Sequence, residues 1–192
     1  LAVDKQGNYF RLQKRALASP LESDVKDYRD FTDSKFFGYV DGRVRLKGFL
    51  YRNSKYSQYF DNVIDAFLGA LEVAINGAHA CALLSDNRVS CFGFNEYDQV
   101  GVENTSSKTE IIEDPVTVSG LDHVEAVRVG DTFSCALLRD STVKCWGDMG
   151  YGRSFGFEPV TIENLMDVTQ LELGAYHACA TMRDGTVSCW GD

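Results

Sequence analysis

The chain of 192 residues is long enough for one compact domain or two small ones, and its 44% hydrophobic content excludes wholesale disorder. Lys and Arg total 19 against 28 Asp and Glu, and the formal net charge of −9 argues against nucleic-acid partners and against anionic membranes. No apolar run reaches the roughly 18 residues of a membrane span, and the N-terminus lacks the pattern of a signal peptide, which leaves open whether one was removed.

Residues 1–70 are predicted to contain two helices. The first is expected to begin at Ser19, a typical N-cap residue, with Pro20 at the first helical position. Its apolar face would comprise Leu21, Val25 and Tyr28. The second is predicted between Tyr56 and Leu68 from apolar residues at helical spacing, with Gly69 as its end. We expect this second stripe to pack in the core, with docking of a partner as the alternative.

Residues 71–192 contain one pattern three times, in ungapped segments that cover 81–93, 135–147 and 179–191. Cysteine, alanine, aspartate, valine, a second cysteine, an aromatic residue and glycine recur at fixed positions. The segments begin 54 and then 44 residues apart, which is within the range of propeller blades. Each segment is predicted to be a β-hairpin with a three-residue loop, where Asn87 or Gly185 can adopt a left-handed conformation.

Two kinds of strand are predicted outside the hairpins. Strands that alternate apolar and polar residues precede the second and third hairpins, at 124–129 and 168–173. Strands that contain proline follow the first and second hairpins, at 114–118 and 158–162. Proline suits the edge of a sheet. The alternating strands end at Gly130 and Gly174, and Asn76 holds this place in the first copy. Asparagine is the non-glycine residue that best tolerates a positive φ, so a left-handed conformation is expected there.

The six cysteines lie within the three repeated hairpins, two in each. Residues 1 and 11, and residues 36 and 46, align with the cysteine positions in two degenerate copies, so each hairpin has both cysteines or neither. This favours pairing within hairpins, as Cys81–Cys91, Cys135–Cys145 and Cys179–Cys189. Six reduced core cysteines, a less favoured zinc site, and a chance likeness of the two degenerate copies are the alternatives. Disulfides would place the protein in an oxidising compartment, whether secreted, periplasmic or at the cell surface.

The pattern G-x-x-H-x-C-A-L-L-x-D-x-x-V-x-C-W-G, followed by Tyr151-Gly152 and later by Pro-Val, resembles the regulator-of-chromosome-condensation repeat. It is most similar to the cysteine-paired version of secreted bacterial proteins and of plant crinkly-type receptor ectodomains. The resemblance implies an all-β fold, a partial or incomplete β-propeller, with helical elaboration near the N-terminus. Residues 1–70 would be degenerate repeats with helical insertions, and residues 71–192 three clear ones. A closed propeller of such repeats needs about 350 residues, so a fragment of a longer chain is expected.

Few residues suggest chemistry. His79 and His177 share a repeat position that Phe133 fills in the second copy, so we expect packing rather than catalysis there. A recurrent aspartate is expected to bond its own turn backbone, as Asp86, Asp140 and Asp184. No catalytic residue, cofactor or metal ligand is predicted.

The expected function is a non-enzymatic, extracellular protein-binding or structural module. Its partners would be proteins, including other copies or the missing part of the same chain. The contact residues are predicted in the connections where the repeats differ most, namely Phe94, Tyr97, Glu110, Tyr151 and Phe155. One alternative is a secreted inhibitor or receptor ectodomain that binds one protein through the propeller rim. Another is a propeller-type glycan-active hydrolase, which would need convergent carboxylates in a central channel.

Overall fold

In the computed structural model, the chain divides into two compact units, Leu1–Gly69 and Ala70–Asp192. In the first unit the structure describes the strand residues 2–3, 9–10, 25–31, 34–39, 44–53 and 56–64. It also describes residues 67, 70–76, 79–104, 111–150 and 152–192. None of the described residues forms a helix long and apolar enough to cross a membrane.

The described part of the first unit contains the strands β1 (Ala2–Val3), β2 (Tyr9–Phe10), β3 (Val25–Phe31), β4 (Ser34–Tyr39), β5 (Val44–Asn53) and β6 (Tyr56–Ile64). β1 and β2 are paired antiparallel, with Ala2 opposite Phe10. β3 to β6 form a four-stranded antiparallel meander in chain order. In this sheet Phe36 lies opposite Leu46, the two positions that align with paired cysteines in the later hairpins.

The two predicted helices are wrong where the structure describes them. Tyr56–Ile64 is strand β6 and pairs with β5 along its length. Val25 and Tyr28 lie in strand β3, and residues 19–24, 65–66 and 68–69 lie outside the described part of the chain. A short apolar run fits both the helical and the strand period, and its aromatic and β-branched residues favour a pleated surface. Pairing with the ten-residue strand β5 therefore stabilises residues 56–64 as a strand rather than a helix.

The second unit consists of three consecutive antiparallel sheets, each a meander in chain order. The first sheet contains β7 (Glu72–Asn76), β8 (His79–Leu83), β9 (Val89–Phe94) and β10 (Ile111–Thr117). The second contains β11 (Val124–Val129), β12 (Phe133–Leu138), β13 (Val143–Asp148) and β14 (Ser154–Thr161). The third contains β15 (Val168–Leu173), β16 (His177–Met182) and β17 (Val187–Gly191). The expected all-β fold is confirmed, and the two proline-containing strands lie at outer edges.

A disulfide joins the two strands of each repeat hairpin. The structure forms the three pairs that the sequence favours, with Cα–Cα distances of 4.1, 4.0 and 4.1 Å for Cys81–Cys91, Cys135–Cys145 and Cys179–Cys189. The strand register places the two cysteines of each pair directly opposite each other. In the first hairpin the Leu84 N–H donates to the Arg88 carbonyl at 2.8 Å, which closes the expected three-residue loop.

Successive sheets of the second unit stack through two different faces. Side chains alternate along a strand, so Cys135, Val143 and Cys145 lie on one face of the second sheet and Ala136 and Trp146 on the other. We call these, and the equivalent positions of the other sheets, the cysteine face and the alanine face. The cysteine face of the first sheet packs on the alanine face of the second sheet. The cysteine face of the second sheet packs in the same way on the alanine face of the third.

The glycines before the hairpins serve close packing and not a left-handed turn. Gly130 and Gly174 are absent from the positive-φ residues, and Asn76 lies in strand β7 without a positive φ. A Cβ atom at Gly130 would overlap the ring of Phe133, and one at Gly174 would overlap the ring of His177. The expected left-handed conformation is therefore wrong, and at Gly130 and Gly174 the missing Cβ atom provides space for the aromatic ring three residues later.

Candidate protein-binding site

The contact between the first and second sheets contains a buried polar cluster. His79 on β8 is 1% exposed, and its Nε2 lies 2.7 Å from the hydroxyl oxygen of Ser134 on β12. Ser134 donates to the backbone carbonyl of Gln99 at 3.0 Å, and the same carbonyl accepts the Trp146 Nε1–H at 3.0 Å. Burial lowers the pKa of His79 to about 3, so its imidazole is neutral near pH 7.

The bond directions in this cluster define the tautomer of His79. Ser134 has one hydroxyl hydrogen, and it is used on the Gln99 carbonyl, which can only accept. Nε2 of His79 therefore carries the proton and donates to the Ser134 oxygen, while Nδ1 has no hydrogen-bond partner among the described residues. An alanine at position 134 would leave a buried N–H without an acceptor, at a cost of about 1–3 kcal/mol.

The contact between the second and third sheets uses an apolar pair at the same positions. Phe133 takes the place of His79, and Ala178 takes the place of Ser134. Both apolar residues are fully buried in one core. In this chain a histidine at the first position therefore faces a hydroxyl group, and a phenylalanine faces a methyl group.

The repeat tryptophan donates a hydrogen bond in the second sheet but not in the third, as far as the structure describes the chain. Trp190 is the equivalent of Trp146, yet its buried Nε1 has no hydrogen-bond partner among the described residues. An open groove of about 430 Å³ lies beside it, and its lining includes Arg153, Phe155, Ile162 and Glu163. The second and third sheets therefore meet less completely at this end than the first and second do.

The cysteine face of the third sheet is not covered by another sheet in the described part of the chain. Val187 is 63% exposed, whereas its equivalents Val89 and Val143 are fully buried. His177 and Cys189 are also exposed, although their equivalents in the other two sheets are buried. β17 has no outer strand in this three-stranded sheet, whereas β9 and β13 are paired with β10 and β14. An apolar face beside an unpaired strand edge is a surface suited to binding protein.

One arginine links the first strands of all three sheets. Arg128 on β11 places Nη1 2.5 Å from Oε1 of Glu72 on β7, and Nε 3.4 Å from Oε1 of Glu172 on β15. The second carboxylate oxygen of Glu72 accepts the backbone N–H of Val127 at 2.9 Å. The first strands of the three sheets therefore lie side by side, and the ion pairs of Arg128 connect the stacked sheets.

The loop 95–104, which follows the first hairpin, is held from inside by buried side chains. Asn95 accepts the Val100 N–H at 3.0 Å and donates to the Val102 carbonyl at 2.8 Å. Tyr97 projects from this loop and is 40% exposed. The loop therefore presents the partly exposed Tyr97 on a backbone that is hydrogen-bonded to buried side chains.

The structure separates the five contact residues predicted from the sequence. Tyr97 is exposed on its loop, whereas Phe94 is 3% exposed, so its side chain packs inside and offers little surface to a partner. Phe155 is half-buried in the groove beside the third sheet. Glu110 and Tyr151 lie outside the described residues.

The recurrent aspartates have the local role that the sequence predicts. Asp86, Asp140 and Asp184 each accept hydrogen bonds from the side chain and the backbone N–H of the residue two positions later. These bonds, the side-chain bond most of all, lower the pKa of the three carboxyl groups. No group of three or more potential metal ligands gathers in the part of the chain that the structure describes.

Sequence reasoning missed the polar partners of His79. Ser134 stands where the other two copies have Ala80 and Ala178, and this difference was the only signal. Gln99 takes part through its backbone carbonyl, for which a sequence carries no mark.

Family models describe the repeats that build these sheets. One model of the regulator of chromosome condensation (RCC1) repeat matches residues 71–99, 124–153 and 168–192, and another matches residues 86–137. Together they cover more than half of the chain. The chain belongs to the RCC1 repeat family. All three disulfide hairpins of the RCC1 repeats lie within the matched segments.

Solved structures show the same β-propeller fold for the RCC1-repeat chain. Human WBSCR16 matches with a TM-score of 0.70 and 20% identity, over 87% of this chain and 47% of that one. Yeast RCC1 (Prp20), solved with Kap60 bound, gives 0.68 and 17% identity over 87% and 43% of the two chains. Prp20p from Saccharomyces cerevisiae, characterised for its binding to Gsp1p and histones, gives 0.68 and 18% identity over 87% and 45%.

The RCC1-repeat chain thus spans less than half the length of these three proteins. No curated protein sequence matches it. The described sheets are accordingly part of a propeller.

Proposed function

We propose that this chain is a non-enzymatic protein-binding module that acts outside the cytosol, in an oxidising compartment. One observation carries the binding role: the third sheet leaves exposed the face that the first two sheets bury completely. All six cysteines are paired, and disulfides persist in secreted, periplasmic and cell-surface proteins, which supports the compartment.

The exposed face favours a protein partner. Val187 contributes branched apolar surface, and its own strand β17 has no outer neighbour in the described sheet, so one edge of its N–H and C=O groups is left unpaired there. Burying apolar surface stabilises a complex by about 25 cal/mol per Å², and a strand edge adds main-chain hydrogen bonds. Only a polypeptide supplies both.

The environment of His79, the best candidate for a general base, also favours binding over catalysis. His79 is buried, neutral and engaged with Ser134, and its equivalent Phe133 cannot transfer a proton. The histidine position therefore serves the contact between sheets.

The loop 95–104 is a second proposed contact surface, through Tyr97. Tyrosine provides a large apolar ring with a polar end, and few rotatable bonds are lost when it binds. The hydrogen bonds of Asn95 support the loop backbone next to this ring.

The test compares two lysine variants of the native protein in its own extracellular fraction. Val187→Lys places a charge on the cysteine face, and Met166→Lys makes the same change at a 77% exposed apolar residue outside it. Cross-linking followed by affinity purification and quantitative mass spectrometry should lose the bound protein in Val187→Lys and retain it in Met166→Lys. Equal recovery of the same proteins with both variants would refute binding through this face, and alkylatable thiols in the native protein would refute the compartment.

A further inference from the structure

We infer that Asn104, at the end of the loop 95–104, is a modification site that carries an asparagine-linked oligosaccharide. The co-reactant is an oligosaccharide bound to a lipid pyrophosphate, which donates its sugar to chains that leave the cytosol. The inference rests on the proposed function, since it requires the compartment given there.

The acceptor pattern for this modification is an asparagine, any residue except proline, and then serine or threonine. Asn104, Thr105 and Ser106 form this pattern, and no other asparagine of the sequence has serine or threonine two positions later. The pattern lies in the connection 95–110 between β9 and β10, whereas the much shorter segment 149–153 joins β13 to β14. It therefore belongs to a part of the repeat in which the first copy differs from the second.

The loop holds the backbone of Asn104 while its side chain lies at the surface. The Asn104 backbone N–H donates to Oδ1 of Asp98 at 2.8 Å, and its side-chain nitrogen donates to the Glu96 carbonyl at 3.3 Å. Asn95 in the same loop is fully buried, whereas Asn104 is half-buried. A sugar is bulky and hydrophilic and needs a surface position, which Asn104 has and Asn95 lacks.

The hydrogen bonding of Asn104 is compatible with an attached sugar. An asparagine amide has two N–H hydrogens, and the sugar replaces one of them. The bond to the Glu96 carbonyl needs a single N–H, so glycosylated Asn104 keeps a donor for it. Transfer to the chain before it folds avoids breaking this bond.

The transfer step is balanced without an oxidant or a reductant. The amide nitrogen of Asn104 forms a bond to the anomeric carbon of the sugar and loses one proton. The bond from that carbon to the pyrophosphate oxygen breaks, and the lipid pyrophosphate leaves with the electron pair.

Variants of the full chain separate an attached sugar from the local hydrogen bonds of Asn104. Ser106→Ala destroys the acceptor pattern without changing Asn104, and Ser106→Thr preserves the pattern. Met166→Thr is the positive control, because it gives Asn164 the same pattern in another loop. Asn164 and Met166 are both exposed.

The native protein and the three variants are produced in the native host and digested with a peptide N-glycosidase in heavy-oxygen water. The enzyme converts a glycosylated asparagine to an aspartate that carries the heavy oxygen, and peptide mass spectrometry locates it. Asn104 should carry this label in the native protein and in Ser106→Thr, and the label should be lost in Ser106→Ala. The intact native protein should lose the mass of the sugar on digestion.

An unlabelled Asn104 in the native protein would overturn the inference, whatever the variants show. Label that persists in Ser106→Ala, or that forms without the enzyme, would also overturn it, because spontaneous deamidation would then be its source. Labelling of Asn164 in Met166→Thr beside an unlabelled Asn104 would reject the site and retain the compartment. Failure of the proposed function is read separately, from alkylatable thiols in the native protein and from unchanged partner recovery with Val187→Lys.

Discussion

At the scale of single residues, His79 couples the folded state to pH. Its folded pKa of about 3 lies below the value of 6.5 for an ordinary imidazole, so the unfolded chain binds a proton that the folded chain does not. The stability it contributes is present above pH 6.5 and is lost as the pH falls from there towards 3. In that window the free energy of unfolding should decrease by about 1.4 kcal/mol for each pH unit.

Urea unfolding at several pH values between 6.5 and 4.5 measures this slope. The window lies above the titration of the turn aspartates, whose pKa values are lowered. His79→Phe is the control, because the second copy already has Phe133 at this position and phenylalanine does not titrate. A slope that persists undiminished in His79→Phe would assign the pH dependence to other groups.

A second effect at this scale is the charge that joins the sheets. Arg128 is only 27% exposed and reaches two carboxylates, whereas the pair Arg183–Asp167 is exposed and its atoms lie 4.0 Å apart. Arg128→Leu should therefore lower the free energy of unfolding by about 1 kcal/mol, and Arg183→Leu should leave it nearly unchanged. Denaturant unfolding at low and high salt checks both, with the Arg128 effect smaller at high salt. Equal effects of the two changes would exclude a special role for the tie between sheets.

At the scale of elements, the three hairpin loops have different residues at one position where the backbone φ angle is positive. The last loop residue has φ 65° at Asn87, 67° at Ser141 and 85° at Gly185. A left-handed conformation is strained for serine and free of strain for glycine, while glycine loses more chain entropy on folding. Ser141→Gly should therefore stabilise the protein by about 0.5–1 kcal/mol, measured by thermal or denaturant unfolding.

The reverse change is the matched control for this loop. An added Cβ at Gly185 meets no atom within 4 Å, so Gly185→Ser introduces backbone strain without a clash. It should destabilise the protein by a similar amount. If both changes shift stability in the same direction, the loop conformation is not what distinguishes the residues.

The elements were predictable from the sequence where three copies constrain one another. Gapless repetition fixed the hairpins and placed Cys81 opposite Cys91, and the Asp86 turn followed from its own chemistry. The segment Tyr56–Ile64 had no second copy, and its spacing suited a helix as well as the strand it forms. The contact of Ser134 with His79 joins positions 55 residues apart, and only the stacking of sheets brings them together.

At the scale of the whole molecule, stacking by unlike faces gives the row of sheets a direction. The first and second sheets of the second unit each bury the cysteine face on the following sheet, whereas the third sheet exposes its cysteine face in the described part of the chain. In the first unit β3 to β6 form a four-stranded meander, as in the first two sheets of the second unit, with Phe36 opposite Leu46. We propose that residues 1–70 are degenerate repeats, in which residues 1 and 11 and residues 36 and 46 occupy the places of the paired cysteines.

The same direction ranks the three disulfides by their access to reductant. The pairs Cys81–Cys91 and Cys135–Cys145 are fully buried between sheets, whereas Cys189 is exposed on the uncovered face. Thiol–disulfide exchange requires approach of a thiolate to sulfur, so limited dithiothreitol followed by alkylation and mass spectrometry should label Cys179 and Cys189 first. Reduction of all three pairs at one rate would mean that global unfolding, and not the uncovered face, controls access.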